Sequence, residues 1–213
     1  MQIDSLGLPK LYPITDARLT GLTHAEQVAQ LCAGGARFIQ LRDKHASPRE
    51  FYAAAEAALK VARAHHARLI INDRADIALA LKADGVHLGQ DDLDPTAARR
   101  LLGPQAIIGY STHNVAQACA AARLPVDYIA IGPVFTTTTK AKPDPIVDLA
   151  GVAQVRAAIG AKLPLVAIGG IDGANARAVL ESGADAVAVV GALLAAPRLI
   201  AQRTAKFLQS LAN

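Results

Sequence analysis

Two aspartates stand where an apolar run gives out. Gly85-Val86-His87-Leu88 empties into Gly89-Gln90-Asp91-Asp92, and upstream Leu69-Ile70-Ile71 empties into Asn72-Asp73. If both runs are neighbouring strands, Asp73 and Asp92 (or Asp91) leave the same edge of a sheet. Carboxylates so placed hold a hard cation such as Mg²⁺, which takes one or two carboxylates and completes its shell with water and phosphate oxygens.

Other apolar runs end in polar cargo of a complementary kind. One delivers Gln40, Arg42 and Lys44; another Ser111, Thr112 and His113; a third Thr136 to Thr139 and Lys140. Cations, hydroxyls and carboxylates together point to a metal between carboxylates and a phosphate between cations. The chemistry expected is transfer or loss of a diphosphate. A second anion site is expected from Gly169-Gly170 and Val190-Gly191, where glycines let backbone N–H groups approach a phosphate closely.

The elements that must position these residues follow from punctuation and periodicity. Strands are expected at 11–16, 36–41, 68–72, 85–88, 106–111, 128–132, 165–168 and 186–190. Helices are expected at 24–33, 48–64, 75–82, 95–102, 114–123, 149–159, from Gly173 or Asn175 to Ser182, and 198–208. Ser47-Pro48 and Asp94-Pro95 each pair an N-cap with a first-turn proline, and Gly34-Gly35 is a helix stop. The loop 133–147 is the candidate lid.

Eight strand–helix alternations run through 1–213 without a break in composition. Several strands are continuous apolar runs, as when both faces are buried. The fold expected is α/β, a single (β/α)₈ TIM barrel over 1–213, with active-site residues at the C-terminal strand ends. An open doubly wound sheet is the alternative, but no Gly-x-Gly-x-x-Gly follows the first strand. A weak echo recurs where helices hand over to strands: Ala33-Gly34-Gly35-Ala36, Ala83-Asp84-Gly85 and Ser182-Gly183-Ala184-Asp185.

Bulk properties narrow the partners. The 213 residues are 52% hydrophobic and carry 22 Lys+Arg against 18 Asp+Glu, a net +4 without a basic run. With aromatics at 4%, there is no stacking platform for nucleic acid. No apolar stretch is long enough to span a bilayer. Cys32 and Cys119 lack metal-ligand spacing and are read as small, reduced core residues. The expectation is a cytoplasmic protein acting on small phosphorylated molecules, without nucleic acid or membrane, and a homo-oligomer is open to it. His87 is read as a satisfied barrel histidine, and His24, His45, His65 and His66 as surface residues. His113 is divided between loop packing and substrate contact.

Seven segments, in order, carry a resemblance. They are Tyr12-Pro13-Ile14-Thr15-Asp16, Gln40-Leu41-Arg42-Asp43-Lys44, Ile71-Asn72-Asp73, Gly85 to Asp92, Gly109-Tyr110-Ser111-Thr112-His113, Gly132-Pro133-Val134-Phe135 through Thr139-Lys140, and Ala167-Ile168-Gly169-Gly170-Ile171. As a set they resemble the thiamine phosphate synthase family over nearly the whole chain. The resemblance implies condensation of 4-amino-2-methyl-5-hydroxymethylpyrimidine diphosphate with a thiazole phosphate, or its carboxylated form. The products are thiamine phosphate and diphosphate.

It implies that Gln40, Leu41, Arg42, Asp43, Lys44, Asn72, Ser111 and Lys140 hold the pyrimidine diphosphate. Arg42, Lys44, Lys140 and Ser111 are then the catalytic candidates. Asp73 and Asp92 are implied as Mg²⁺ ligands, and Thr137, Thr139, Gly170, Val190 and Gly191 as the thiazole phosphate site. Three positions depart from the family pattern. Thr136 replaces a usual proline, Gly191 a usual serine, and Ile146-Val147-Asp148-Leu149 lacks a usual glycine. Two rival readings are a thiazole tautomerase-like relative and a non-catalytic sensor of phosphorylated ligands; neither needs the diphosphate set.

Overall fold

The computed structural model describes residues 6–137 and 145–212. Eight parallel strands form one sheet in the order β1-β8-β7-β6-β5-β4-β3-β2. They are β1 (Leu11–Pro13), β2 (Phe38–Leu41), β3 (Arg68–Asn72), β4 (Gly85–Leu88), β5 (Ile107–Thr112), β6 (Tyr128–Ile131), β7 (Leu165–Ile168) and β8 (Ala186–Val189). The seam between β1 and β2 is closed by an Ile14–Gln40 bridge and by Thr15 N–H donating to the Gln40 carbonyl at 2.9 Å. This is the expected (β/α)₈ TIM barrel.

The helices are α1 (Ala17–Thr20), α2 (His24–Ala33), α3 (Pro48–Ala64), α4 (Ala75–Leu81), α5 (Pro95–Leu102), α6 (Val115–Ala121), α7 (Asp148–Ile159), α8 (Ala176–Glu181), α9 (Gly191–Leu194) and α10 (Ile200–Ala212). Caps set several starts. Thr23 with Glu26 and Ser47 with Glu50 form reciprocal capping boxes, and Asp94 accepts from Thr96 and Ala97 N–H. The short α1 and α9 were not expected from the sequence. In α1, the Asp16 carboxylate caps the Arg18 and Leu19 N–H groups and Gly21 closes the turn in the left-handed conformation. The last helix starts later than 198 because Pro197–Leu199 forms a 3₁₀ turn. Among the described residues no helix is long and apolar enough to cross a membrane.

Alternation along each strand divides the core into two layers. Tyr12, Phe38, Ile70, Tyr128, Val166 and Ala186 fill the barrel. Leu69, Ile71, Val86, Ile108, Ile129 and Val187 face outward under the helices. With both faces buried, the strands read as unbroken apolar runs.

Two of the three echoed junctions, those before β4 and β8, carry an aspartate with a structural role at the N-terminal end of the barrel, and the junction before β6 carries a third. Asp84, Asp127 and Asp185 each stand just before an even-numbered strand. Their carboxylates accept from Leu69, Ile108 and Leu165 N–H at 2.8, 2.7 and 2.7 Å, near the start of the preceding strand. Arg99 and Arg156, from α5 and α7, pair with Asp127 and Asp185 and also donate to loop carbonyls. A depression of about 950 Å³ opens at this end. The charged groups Asp84, Asp127, Asp185, Arg99 and Arg156 are engaged in the clamp, so this end is scaffold.

Candidate active site

The opposite rim gathers the chemistry. Asp73 follows β3 in the left-handed region, with φ 64°, a conformation that aspartate and asparagine tolerate better than most residues. Its N–H donates to the His87 carbonyl at 2.8 Å, which ties it to the neighbouring strand. The Lys44 ammonium lies 2.5 Å from Asp73 Oδ2. Asp92 turns back so that its Oδ2 accepts from Gly89 N–H at 2.7 Å. Asp91 is exposed and Asp92 half-buried.

Burial is the largest influence on Asp73 and raises its carboxyl above the usual range. Lys44 opposes that rise, and the neighbouring Asp92 carboxyl adds to it. Two carboxylates this close repel each other unless a cation lies between or beside them. Among the described residues no cluster of three or more His, Cys, Asp or Glu side chains could hold a metal. A pair with open positions suits Mg²⁺, which leaves most of its shell to water and phosphate.

Asn72 adds a second sign of a missing partner. It is buried, and its Nδ2 donor has no hydrogen-bond partner among the described residues. A buried amide donor left unpaired costs about 1–3 kcal/mol, so an acceptor is called for there.

The β2 loop is anchored from below. Thr15 Oγ1 hydrogen-bonds His24 Nδ1 at 2.8 Å and accepts from Arg42 N–H at 3.3 Å. His24 is therefore buried, against the expectation of a surface residue; α2 turns it inward beneath the loop. Burial lowers its pKa, opposed by Asp43, whose Oδ2 is 3.6 Å from Nε2. Asp43 caps its own turn, accepting from His45 and Ala46 N–H at 2.8 and 3.0 Å. The Leu41 side chain packs in the outer layer, away from the barrel interior. At these two positions the side chains serve the scaffold.

Inside the barrel, polar tips meet in a row that sequence reasoning did not anticipate. Gln40 Nε2 donates to Tyr12 Oη at 3.0 Å, and Tyr12 Oη lies 2.9 Å from Tyr128 Oη. Tyr128 Oη is 2.9 Å from His87 Nδ1, and His87 Nε2 is 2.8 Å from Ser111 Oγ. His87 is satisfied on both nitrogens, as expected of a barrel histidine. The signal available beforehand was that Tyr12, Gln40, His87 and Tyr128 all sit within otherwise apolar strands.

Burial pushes the His87 imidazole down to about 4 from 6.5. The unfolded chain then takes up this proton first. Stability from the neutral ring is complete above about pH 6.5 and is lost as pH falls toward 4, by roughly 3 kcal/mol in all. Urea unfolding should show the stability difference between the parent and His87→Asn narrowing by about 2 kcal/mol between pH 7.5 and pH 5. A constant difference would mean that His87 does not titrate in this way.

The remaining rim residues divide. Thr112 is buried and donates to the Ala130 carbonyl at 2.8 Å, so it serves the sheet. His113 Nδ1 hydrogen-bonds the Gly132 carbonyl at 2.6 Å, which favours loop packing. Thr137 is half-buried; Thr139 and Lys140 lie outside the described residues, as does much of the loop 133–147.

Gly169 and Gly170 have φ of 104° and 64°. A Cβ at Gly169 would sit 2.6 Å from Pro133 Cβ, and one at Gly170 would sit 2.6 Å from the Thr136 carbonyl oxygen. The expectation was that these glycines clear room for a phosphate. They are also required for the β7 turn to lie against the β6 loop. Val190 precedes α9, and Gly191 opens it.

The thiamine monophosphate synthase family profile matches residues 11–193. Thiamine-phosphate synthase of Koribacter versatilis is 46% identical over 213 residues, spanning 97% of each chain. The chain belongs to the thiamine monophosphate synthase family. The thiamine-phosphate synthase of Methanospirillum hungatei is also 46% identical, over 90% of this chain and 92% of its own. Among solved structures, thiamine phosphate pyrophosphorylase from Pyrococcus furiosus matches with a TM-score of 0.83 at 35% identity, covering 96% of this chain and 97% of its own. Membership of the thiamine monophosphate synthase family makes the chain an enzyme, a transferase, and agrees with the resemblance carried by the rim residues.

Proposed function

We propose that this chain joins 4-amino-2-methyl-5-hydroxymethylpyrimidine diphosphate to a thiazole phosphate, giving thiamine phosphate and diphosphate. The observation that carries the reading is the Asp73, Asp92 and Lys44 cluster beside the unpaired Asn72 amide. Such a cluster suits a cation and a phosphate chain. Family membership and the two expected anion sites support it.

The substrate C–O bond to diphosphate breaks, and its electron pair leaves with the diphosphate. The pyrimidine amino group pushes electrons toward the CH₂ carbon as this happens. The thiazole nitrogen then forms the new C–N bond; a carboxylated thiazole also loses CO₂. Mg²⁺ held by Asp73 and Asp92 would supply positive charge to the diphosphate. Lys44, now on Asp73, is placed to share its charge with a phosphate oxygen, with Arg42 on the same loop. Asn72 Nδ2 donates to an acceptor of the substrate. Lys140, from the Thr-rich loop, belongs to the same set by resemblance. Charge stabilisation and positioning carry the rate, and no strong general base is needed.

Gly170, Val190 and Gly191, with Thr137 and Thr139, are assigned to the thiazole phosphate, held largely by backbone N–H groups. Gly191 lies outside the positive-φ region, and a Cβ there meets nothing within 4 Å. Gly191→Ser should therefore fold normally and add one donor. A charge-assisted hydrogen bond is worth roughly 1.5–3 kcal/mol when fully formed, but water substitutes for part of it at an open site. The thiazole phosphate KM should fall by up to about tenfold, with the pyrimidine KM unchanged. A change in the pyrimidine KM alone would mean that the two sites are misplaced around the barrel.

The direct test mixes purified protein, Mg²⁺ and the two phosphorylated precursors. Thiamine phosphate and diphosphate should form in equal amounts. Proton exchange on the thiazole phosphate with no condensation would instead support the tautomerase-like reading.

A further inference from the structure

We infer that Tyr12, Tyr128 and His87 form a one-way hydrogen-bond chain that holds His87 as its Nε2–H tautomer and so turns the Ser111 O–H outward as a donor to the substrate. These three are positioning residues. The inference rests on the proposed function in one respect, that Ser111 faces the pyrimidine diphosphate.

The argument is a count of protons. Each hydroxyl has one hydrogen to give, and a singly protonated imidazole has one. Four hydrogen bonds link five groups in series, Gln40, Tyr12, Tyr128, His87 and Ser111, over distances of 3.0, 2.9, 2.9 and 2.8 Å. A chain of this kind with a single imidazole proton has two self-consistent directions. In one, every donor points from Gln40 toward Ser111. In the other, every donor points back. A mixture would put two hydrogens, or none, into one of the links.

Both ends select the first direction. At the Gln40 end the amide nitrogen donates, so the Tyr12 hydrogen must go to Tyr128. Tyr128 must then donate to His87 Nδ1, which leaves the ring proton on Nε2 and aimed at Ser111 Oγ. At the other end, phosphate oxygens and pyrimidine ring nitrogens are acceptors. A serine that gave its hydrogen to His87 would turn lone pairs toward them. A serine that accepts from His87 keeps its hydrogen for the substrate. With Tyr128 donating to Nδ1, that nitrogen carries no proton and the ring holds a single one.

The links also hold rigidly. Tyr12 and Tyr128 are among the largest fully buried side chains, and the His87 and Tyr128 rings are stacked with centroids 5.5 Å apart. Ser111 thus receives an orientation set from the far side of the barrel. The tautomer is set by the hydrogen bond at the other ring nitrogen, as is usual for histidine.

The test reads the ring nitrogens of the substrate-free protein by long-range ¹H–¹⁵N correlation near pH 7.5. His87 is assigned by the signals that disappear in His87→Asn. The expected pattern is a protonated Nε2 and a bare Nδ1. A protonated Nδ1 overturns the inference outright. Tyr128→Phe removes the donor to Nδ1; it should give a mixture of tautomers and lower kcat/KM for the pyrimidine diphosphate at least fivefold, with the thiazole phosphate KM unchanged. Retention of pure Nε2–H with unaltered kinetics would show that Tyr128 does not set the direction. Addition of the pyrimidine diphosphate with Mg²⁺ should shift the His87 Nε2 signal through Ser111. A correct tautomer with no such response would leave the chain intact and count against the placement of Ser111 at the substrate. The two failures are therefore separate.

Discussion

Replacing both Asp73 and Asp92 by asparagine should lower kcat/KM at least a hundredfold while leaving the fold as stable as the parent's, or more so. The loss follows from removing the two carboxylates assigned to Mg²⁺. If each charge-assisted contact is worth roughly 1.5–3 kcal/mol, the pair amounts to about 3–6 kcal/mol, and each 1.36 kcal/mol is tenfold in rate. The stability half follows from the geometry. Burial, with a further push from Asp92, raises the Asp73 carboxyl, so at neutral pH its charged form is held at a cost in the folded protein. Asparagine removes that cost. It also suits the backbone, since Asp73 has φ 64° and asparagine tolerates the left-handed region as aspartate does. Steady-state kinetics and urea unfolding, each without and with Mg²⁺, check the two halves. Excess chelator should likewise abolish the parent's activity. Near-normal turnover in the double variant, or in chelator, would remove the metal from the mechanism.

The barrel was legible because its signals are local. Ser47-Pro48 and Asp94-Pro95 mark helix starts that the structure reproduces at Pro48 and Pro95. The runs 68–72 and 85–88 are β3 and β4 residue for residue. What escaped notice was short or depended on neighbours. The four-residue helices α1 and α9 have no apolar stripe to read. The strand expected at 11–16 closes at Pro13 because Thr15 and Asp16 turn aside, Thr15 to the β2 carbonyl and His24, Asp16 to the N-cap of α1. The role of Asp84, Asp127 and Asp185 needed the register, because each carboxylate reaches the strand before its own.

The rim was readable for the same reason. In a barrel, the residues that follow an apolar run are at the C-terminal face, so Asp73, Asp92 and Lys44 group together from the sequence alone. The interior could not be read in this way. Whether His24 is buried depends on how α2 docks, which a single helix does not reveal. The link from Gln40 to Ser111 joins five strands, and each step depends on how strands pair and on which face a side chain takes. The Gly169-Gly170 turn was recognised as a close approach, but part of what comes close is the β6 loop of the same chain.

Gly109→Ala should destabilise the fold by about 3 kcal/mol or more, at the upper end of what an added methyl group does in a packed core. For a chain of this size that corresponds to a fall in Tm of roughly 6–12 °C. Gly109 lies in β5 between His87 of β4 and Tyr128 of β6 in the strand register. A Cβ there would be 2.0 Å from Tyr128 Cζ, 2.3 Å from its Oη and 2.5 Å from Cε2. The ring has nowhere to go: it is fully buried, stacked on His87, and tied by its hydroxyl to Tyr12 and His87. Moving it breaks the hydrogen-bond chain to Ser111, so catalysis should fall along with stability. The clash is with one side chain, which makes it separable. Tyr128→Leu empties the space that the new methyl needs, though it leaves Tyr12 and His87 each short of a partner and is itself costly. In that background Gly109→Ala should cost less than about 1 kcal/mol, a coupling of about 2–3 kcal/mol between residues in contact. Urea unfolding of the four proteins measures the cycle. An equal cost of Gly109→Ala in both backgrounds would place the strain in the β5 backbone, and the packing of Tyr128 over Gly109 would then not be the reason a glycine stands there.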